Sequence, residues 1–206
     1  MRDPRDYSAI VFDMGHVLCE YNSRRAIARF TDDPALIEEV RKTVYCSYEW
    51  ALLDAGLADE NVVMRFTLPR LGSDLARDVA VRSLDCWHRY NLWPKEGMAG
   101  VVADVKARGQ RVYVLSNAGA RLADCWRDVL PCPGAYNGIV FSAVEKCLKP
   151  QKYIYEILFS RYHLDPAECL FIDDLAWNVA GGEACGMDGW TFESGDVAEL
   201  RRVLKL

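Results

Sequence analysis

The sequence predicts an α/β fold: a doubly wound, mainly parallel sheet with a block of helices inserted after the first strand. Three observations carry this. Beyond Tyr90, short β-branched and aromatic runs alternate with helical periodicities, the rhythm of strands joined by crossover helices. The runs Ala9–Asp13 (AIVFD), Arg111–Ser116 (RVYVLS) and Cys169–Ile172 (CLFI) are nearly all apolar, as strands covered on both faces are. Between the first two of these, from Tyr21 to Tyr90, the signals are helical only.

Taken in order, Ala9–Asp13 is the first strand. Asp33-Pro34 reads as an N-cap followed by Pro at the first helical position. Ser73-Asp74 opens a helix whose Leu75, Val79, Cys86 and Tyr90 share a face. Met98, Val101, Val102 and Val105 fall at helical spacing, and Gly109 closes that helix before the second strand, Arg111–Ser116. Ile139–Ser142 (IVFS) is the third strand. Lys152–Leu164 sets Ile154, Ile157, Leu158 and Tyr162 along one stripe. Cys169–Ile172 follows, then a helix over Val179–Cys185 ending at Gly186, then a fifth strand, Gly189–Phe192 (GWTF). Asp196-Val-Ala-Glu199 has the form of a capping box opening the last helix. The expected organisation is an α/β core of residues 1–20 and 91–206. A helical cap of residues 21–90 lies over the carboxyl ends of the strands, where open α/β sheets bind ligands.

Composition narrows the function. The 206 residues suffice for one such core plus a modest insertion. No run reaches the roughly 18 apolar residues of a membrane span. The flanks of the first apolar run are too acidic for a secretory signal, so the expected compartment is the cytoplasm and no membrane partner is expected. The eight cysteines include no Cys-x-x-Cys pair and read as reduced, mostly buried thiols. A net charge of −5 argues against nucleic acid as a partner. A small anionic ligand remains compatible with it, because a local site can be positive inside an acidic protein.

Four polar signals stand at or just after strand ends: Asp13; Ser116 with Asn117; Lys149 in Cys-Leu-Lys-Pro, after the third strand; and Asp173 with Asp174. Strand ends of a parallel sheet converge on one crevice. The set is chemically coherent for phosphoryl transfer. A carboxylate can attack phosphorus and form an aspartyl phosphate. Two further carboxylates suit a hard Mg²⁺ ion. A lysine and a serine hydroxyl can hold phosphoryl oxygens.

The segments Val11–Leu18 (VFDMGHVL), Val114–Asn117 (VLSN), Cys147–Pro150 (CLKP) and Phe171–Asn178 (FIDDLAWN) resemble the four ordered motifs of the haloacid dehalogenase superfamily, over essentially the whole chain. The insert resembles that family's type-one helical cap, and the first motif, Asp-x-Gly, is similar to that of the α-D-glucose-1-phosphatase branch. The resemblance implies a Mg²⁺-dependent phosphatase acting on a small-molecule phosphate ester, a sugar phosphate foremost. Asp13 is then nucleophile and metal ligand. The Gly15 carbonyl, Asp173, Asp174 and, through water, Asn178 complete the metal site, and Ser116, Asn117 and Lys149 bind phosphate.

The pattern departs from the family at Gly15. Most of its phosphatases carry a second Asp there, which protonates the leaving group. His16 is adjacent, but in an extended segment it points the other way. Without an acid, rates should depend steeply on leaving-group acidity. A non-catalytic phosphate-binding or regulatory protein and a metal-free haloacid dehalogenase are the alternative readings. The acidic pair Asp173-Asp174 argues against the second. Trp50, Trp87 and Tyr48 are aromatic candidates for the cap's share of the site, as are Glu20 and Tyr21 for a flap over it.

Overall fold

The computed structural model describes residues 2–206. Its strands are β1 (Ala9–Phe12), β2 (Cys19–Tyr21), β3 (Leu92–Pro94), β4 (Arg111–Ser116), β5 (Gly138–Phe141), β6 (Cys169–Asp173) and β7 (Asp188–Thr191). Helices α1 (Arg24–Ile27), α2 (Pro34–Val40), α3 (Tyr48–Asp54), α4 (Glu60–Thr67) and α5 (Asp74–Tyr90) all lie between β2 and β3. Helices α6 (Met98–Ala107), α7 (Ala120–Val129), α8 (Ser142–Glu145), α9 (Lys152–Tyr162), α10 (Ala176–Ala184) and α11 (Val197–Val203) are distributed among the later strands.

All five expected strands pair in one parallel sheet, in the order β5-β4-β1-β6-β7. Side chains alternate across it, and both faces are covered. Ile10, Phe12, Val112, Val114, Leu170 and Ile172 join one apolar cluster, and Ala9, Val11, Tyr113, Leu115, Cys169 and Phe171 join the other. This is why the central strands read as continuous apolar runs. Helices α6, α7 and α11 supply the first cluster; α9 supplies Ile154, Tyr155 and Leu158 to the second.

Register positions the site. Phe12 is paired with both Val114 and Ile172, so Asp13 and Asp173 leave the sheet side by side. Ser116 lies at the end of β4 on one flank.

The helical insert has features the sequence did not disclose. Its two ends form an antiparallel ribbon, β2 with β3, in which Glu20 faces Trp93. The boundary expected between residues 20 and 21 therefore falls inside a strand. These strands are short and lack a two-residue period long enough to register as a pattern. Asp33 and Ser73 cap α2 and α5 as expected, accepting from the amides of Ala35 and Ala76. The buried face of α5, however, is Ala76, Val79, Ala80, Ser83, Leu84 and Trp87, while Leu75 is exposed. Small residues let α5 approach its neighbours closely, and a stripe chosen for large apolar residues misses that face. At the other end of the chain, Asp196 caps α11, but Glu199 takes the Ser194 hydroxyl rather than closing a reciprocal box. The insert's buried residues are continuous with the first sheet cluster, from Phe12 through Val44 and Trp50 to Trp87. Among the described residues, no helix is long and apolar enough to cross a membrane.

Candidate active site

The carboxyl ends of β1, β4 and β6 open on a cavity of about 310 Å³ that the helical insert roofs. At its floor, ligand oxygens of Asp13, Asp173 and Asp174 lie within 4.8 Å of one another, close enough to share one small cation. Lys149 is buried, and its ammonium donates to Asp13 Oδ1, Asp173 Oδ2 and the Leu115 carbonyl, each at 2.7 Å.

The electrostatics are those of crowded carboxylates in a dry place. Burial pushes the Asp13 carboxyl up, to about 7. Lys149 opposes that shift, and Asp173 and Asp174 add to it. Burial alone would lower the Lys149 ammonium, but the flanking Asp13 and Asp173 hold it above its usual value. Asp174 is raised by burial and by Asp173.

Three carboxylates against one ammonium leave the floor short of positive charge. Asp173 is fully buried and well supplied with donors: Lys149, the Leu175 amide and the Asn178 side chain. It orients the floor, whereas Asp174 lines the cavity directly. Asn178 lies in α10, which begins only at Ala176, so Asp174 precedes the helix rather than sitting one turn earlier on it. Asn178 Nδ2 donates to Asp173, while its buried Oδ1 has no hydrogen-bond partner. A buried amide oxygen without a donor beside excess carboxylates is a place for a cation.

Ser116 is buried and lines the cavity. The Asn117 side chain is committed elsewhere. It donates to the Lys149 carbonyl and accepts from the Lys149 amide. It therefore splints the Lys149 loop to the end of β4, and what Asn117 can offer a phosphate is its backbone. Gly15 lines the cavity, and a Cβ added there would meet nothing within 4 Å.

His16 is not in an extended segment. The chain turns at Met14–Leu18, with the amides of Leu18 and Cys19 both donating to the Met14 carbonyl, and His16 sits at φ 57. It is exposed, at the cavity rim, with its ring 6.2 Å from that of Tyr21. The expectation that it points away rested on a strand continuing past Asp13, and the turn removes that premise.

The roof was only partly anticipated. Trp50 and Trp87 both line the cavity, packed edge to face with centroids 5.2 Å apart. Tyr21 lines it too. Tyr48 is exposed and belongs to no part of it. Glu20 instead pairs with Lys95 across the ribbon. Tyr45, Leu92 and Leu122 complete the apolar wall, together with one carboxyl absent from the sequence reading, Asp54. The signal that marks Asp54 is its place as the last residue of α3. A carboxylate at a helix C-terminus opposes the helix dipole.

The chain as a whole is similar to known proteins. The model of the haloacid dehalogenase-like hydrolases fits residues 7–186. The chain belongs to that family. Its relatives include a sesquiterpene phosphatase, astK, of Aspergillus oryzae, 26% identical over 188 residues that cover 89% of this chain and 88% of that protein. A phosphatase of Mycobacterium tuberculosis, MT3486, is 28% identical over 191 residues, 87% of this chain and 84% of the relative. A Bacteroides thetaiotaomicron enzyme of the family, crystallised with magnesium and inorganic phosphate, superposes with a TM-score of 0.67 at 19% identity, covering 94% of this chain and 98% of that one.

Proposed function

We propose that the protein is a Mg²⁺-dependent phosphatase that hydrolyses a small phosphomonoester through an aspartyl phosphate on Asp13. The observation that carries this reading is the floor of the cavity: three carboxylates and one ammonium, with the orphaned Asn178 oxygen alongside. The donor set fits Mg²⁺, which favours carboxylate, amide and carbonyl oxygens. Asp13, Asp174 and the Gly15 carbonyl would hold it, with Asp173 and Asn178 behind them. When bound, the ion neutralises charge on the nucleophile and the phosphoryl group.

The chain's own residues do the rest. Lys149 holds Asp13 Oδ1, which opposes the loss of the carboxylate's charge to burial and leaves its other oxygen as the attacking atom. Attack forms the Asp13–phosphorus bond and breaks the bond to the leaving oxygen. Water then attacks phosphorus, the acyl phosphate bond breaks, and Asp13 is restored. Ser116 and the backbone after it supply donors to phosphoryl oxygens.

The helical insert acts as a cap whose aromatic wall receives the leaving group. Tyr21, Tyr45, Trp50, Trp87, Leu92 and Leu122 offer area rather than hydrogen bonds. That supports a compact alcohol with an apolar or ring face. The sesquiterpene phosphatase among the relatives is consistent with such a leaving group, and a sugar phosphate stacking a ring face on Trp50 is the second candidate. All eight cysteines are free, which suits a cytoplasmic, reducing setting. The test is a panel of phosphate esters of apolar, aromatic and sugar alcohols with and without Mg²⁺. Mg²⁺-dependent release of phosphate is expected, fastest for esters with an apolar or ring face. Tight binding of phosphate with no turnover of any ester would favour a regulatory phosphate-binding role instead.

A further inference from the structure

The site has a nucleophile but, at Gly15, no side chain to protonate the alkoxide it expels. We propose that Asp54, reaching the cavity from the helical insert, is the general acid that protonates the leaving oxygen. The inference rests on the phosphatase reading and adds a catalytic residue to it.

Position is the first argument. Asp54 is the one carboxyl that the helical insert contributes to the lining of the cavity whose floor holds Asp13, Ser116 and Lys149. Its place is built. The buried Ser142 hydroxyl donates to the Asp54 carbonyl at 2.5 Å and accepts from the Ala118 amide at 2.8 Å. Gly56, at φ 68, lies so close to the Ala143 carbonyl that an added Cβ would come within 2.1 Å of it. The Asp54 carboxyl itself reaches Gly119, with Oδ1 at 3.7 Å from where a Cβ there would stand. The residue is thereby pinned above the Ser116–Gly119 loop, which lines the phosphate end of the cavity.

Environment is the second argument. A general acid must carry its proton at working pH. Burial pushes the Asp54 carboxyl up to about 7, opposed only by a hydrogen bond from the Gly119 amide. Its place at the C-terminus of α3 also disfavours the anion. The phenol of Tyr21, on β2, faces it and is raised partly by it. Other ionisable groups on neighbouring elements are paired elsewhere: Arg41 with Glu38, Glu60 with Arg121, Glu145 with Arg161, and Lys149 with Asp13 and Asp173. The Tyr45 hydroxyl donates to Ser83.

The step balances. As Asp13 bonds to phosphorus and the ester P–O bond breaks, the Asp54 proton passes to the departing oxygen and the alcohol leaves neutral. The Asp54 carboxylate then takes a proton from the water that attacks the aspartyl phosphate, and both carboxyls return to their starting states.

The experiment compares wild type, Asp54→Asn and the double variant Asp54→Asn/Gly15→Asp on 2,4-dinitrophenyl, phenyl and alkyl phosphates in Mg²⁺. Asp54→Asn is nearly isosteric. It should lower the ratio of phenyl and alkyl to dinitrophenyl turnover by about 10²-fold or more, since general acids contribute about 10²–10⁴-fold and a dinitrophenolate leaves without one. In wild type, phenyl phosphate turnover should fall as pH rises through about 7, where Asp54 deprotonates. That limb should vanish in Asp54→Asn. A Cβ at Gly15 would meet nothing within 4 Å, and Gly15→Asp should restore part of the ratio. A loss equal across all leaving groups, a change in KM alone, or an unchanged pH limb would overturn the assignment. Inactivity of wild type toward every ester would instead defeat the underlying phosphatase reading.

Discussion

At the floor of the cavity, Asp13, Asp173 and Asp174 crowd around one buried ammonium and compete for it. At the roof, Tyr21, Tyr45, Trp50 and Trp87 surround a single carboxyl, Asp54, that meets no cation. Burial raises both Asp13 and Asp54, each to about 7, and the two ends answer it differently. On the floor, Lys149 opposes the shift, and a bound Mg²⁺ would oppose it further. On the roof, the Gly119 amide alone opposes it. The proposed nucleophile and the proposed acid thus differ in what is placed beside each. The floor stands at strand ends of a parallel sheet, and the roof on the helical insert and the ribbon at its base.

Substitutions should reveal that difference, most strongly at the floor. Asp13→Asn removes the attacking atom and should reduce turnover to the assay background while circular dichroism and melting stay close to wild type. Residual turnover above background would displace Asp13 as nucleophile. Lys149→Ala leaves two carboxylates buried without their shared cation and takes away a charged donor. Losses of about 3–4 kcal/mol in transition-state stabilisation are expected, near 10²–10³-fold in kcat, and more than for Ser116→Ala. Equal kinetics in Lys149→Ala and wild type would return that residue to a structural role.

At the roof, Asp54 apart, the expected effects are smaller and of a different kind. Gly56→Ala forces a side chain against the Ala143 carbonyl at positive φ, which should cost about 1–3 kcal/mol or more of stability and lower the melting temperature. Unchanged melting would show that α3 is not clamped where the structure has it. Trp50→Phe trims the apolar wall, and KM for a bulky aryl ester should rise while inhibition by inorganic phosphate, a floor ligand, stays put. Tyr48→Ala, on the same helix but exposed and outside the cavity, should stay within about 0.5 kcal/mol of wild type in stability, with kinetics unaltered.

The same division explains what could be read from the chain. Asp13, Ser116, Asp173 and Asp174 stand at or just after strand ends, where topology alone brings distant residues together, while Lys149 follows α8 and is tied to the end of β4 through Asn117. Their spacing relative to apolar runs therefore carried both fold and floor. Asn178 was marked only by the family resemblance, and it meets the floor through Asp173. Asp54 lay outside that logic. Its place depends on how α3 packs against the 118–119 loop and on a hydroxyl, Ser142, that sequence marks only as a strand end. The buried stripe of α5 escaped for a related reason, because close packing of Ala76, Ala80 and Ser83 depends on the neighbouring helices.

The ribbon of β2 and β3 has a consequence for the chain as a polymer. Residues 22–91 leave and rejoin the core as adjacent, hydrogen-bonded strands, with the Asn22 amide donating to the Asn91 carbonyl and the Ala26 amide to the Asn91 side chain. Once that ribbon forms, the rest of the chain experiences the whole insert as a hairpin. Closing it costs entropy that grows only with the logarithm of its length, about 0.6 kcal/mol for each doubling. Segments added within the insert, away from Asp54 and the aromatic wall, should therefore leave the folding of the sheet nearly unchanged.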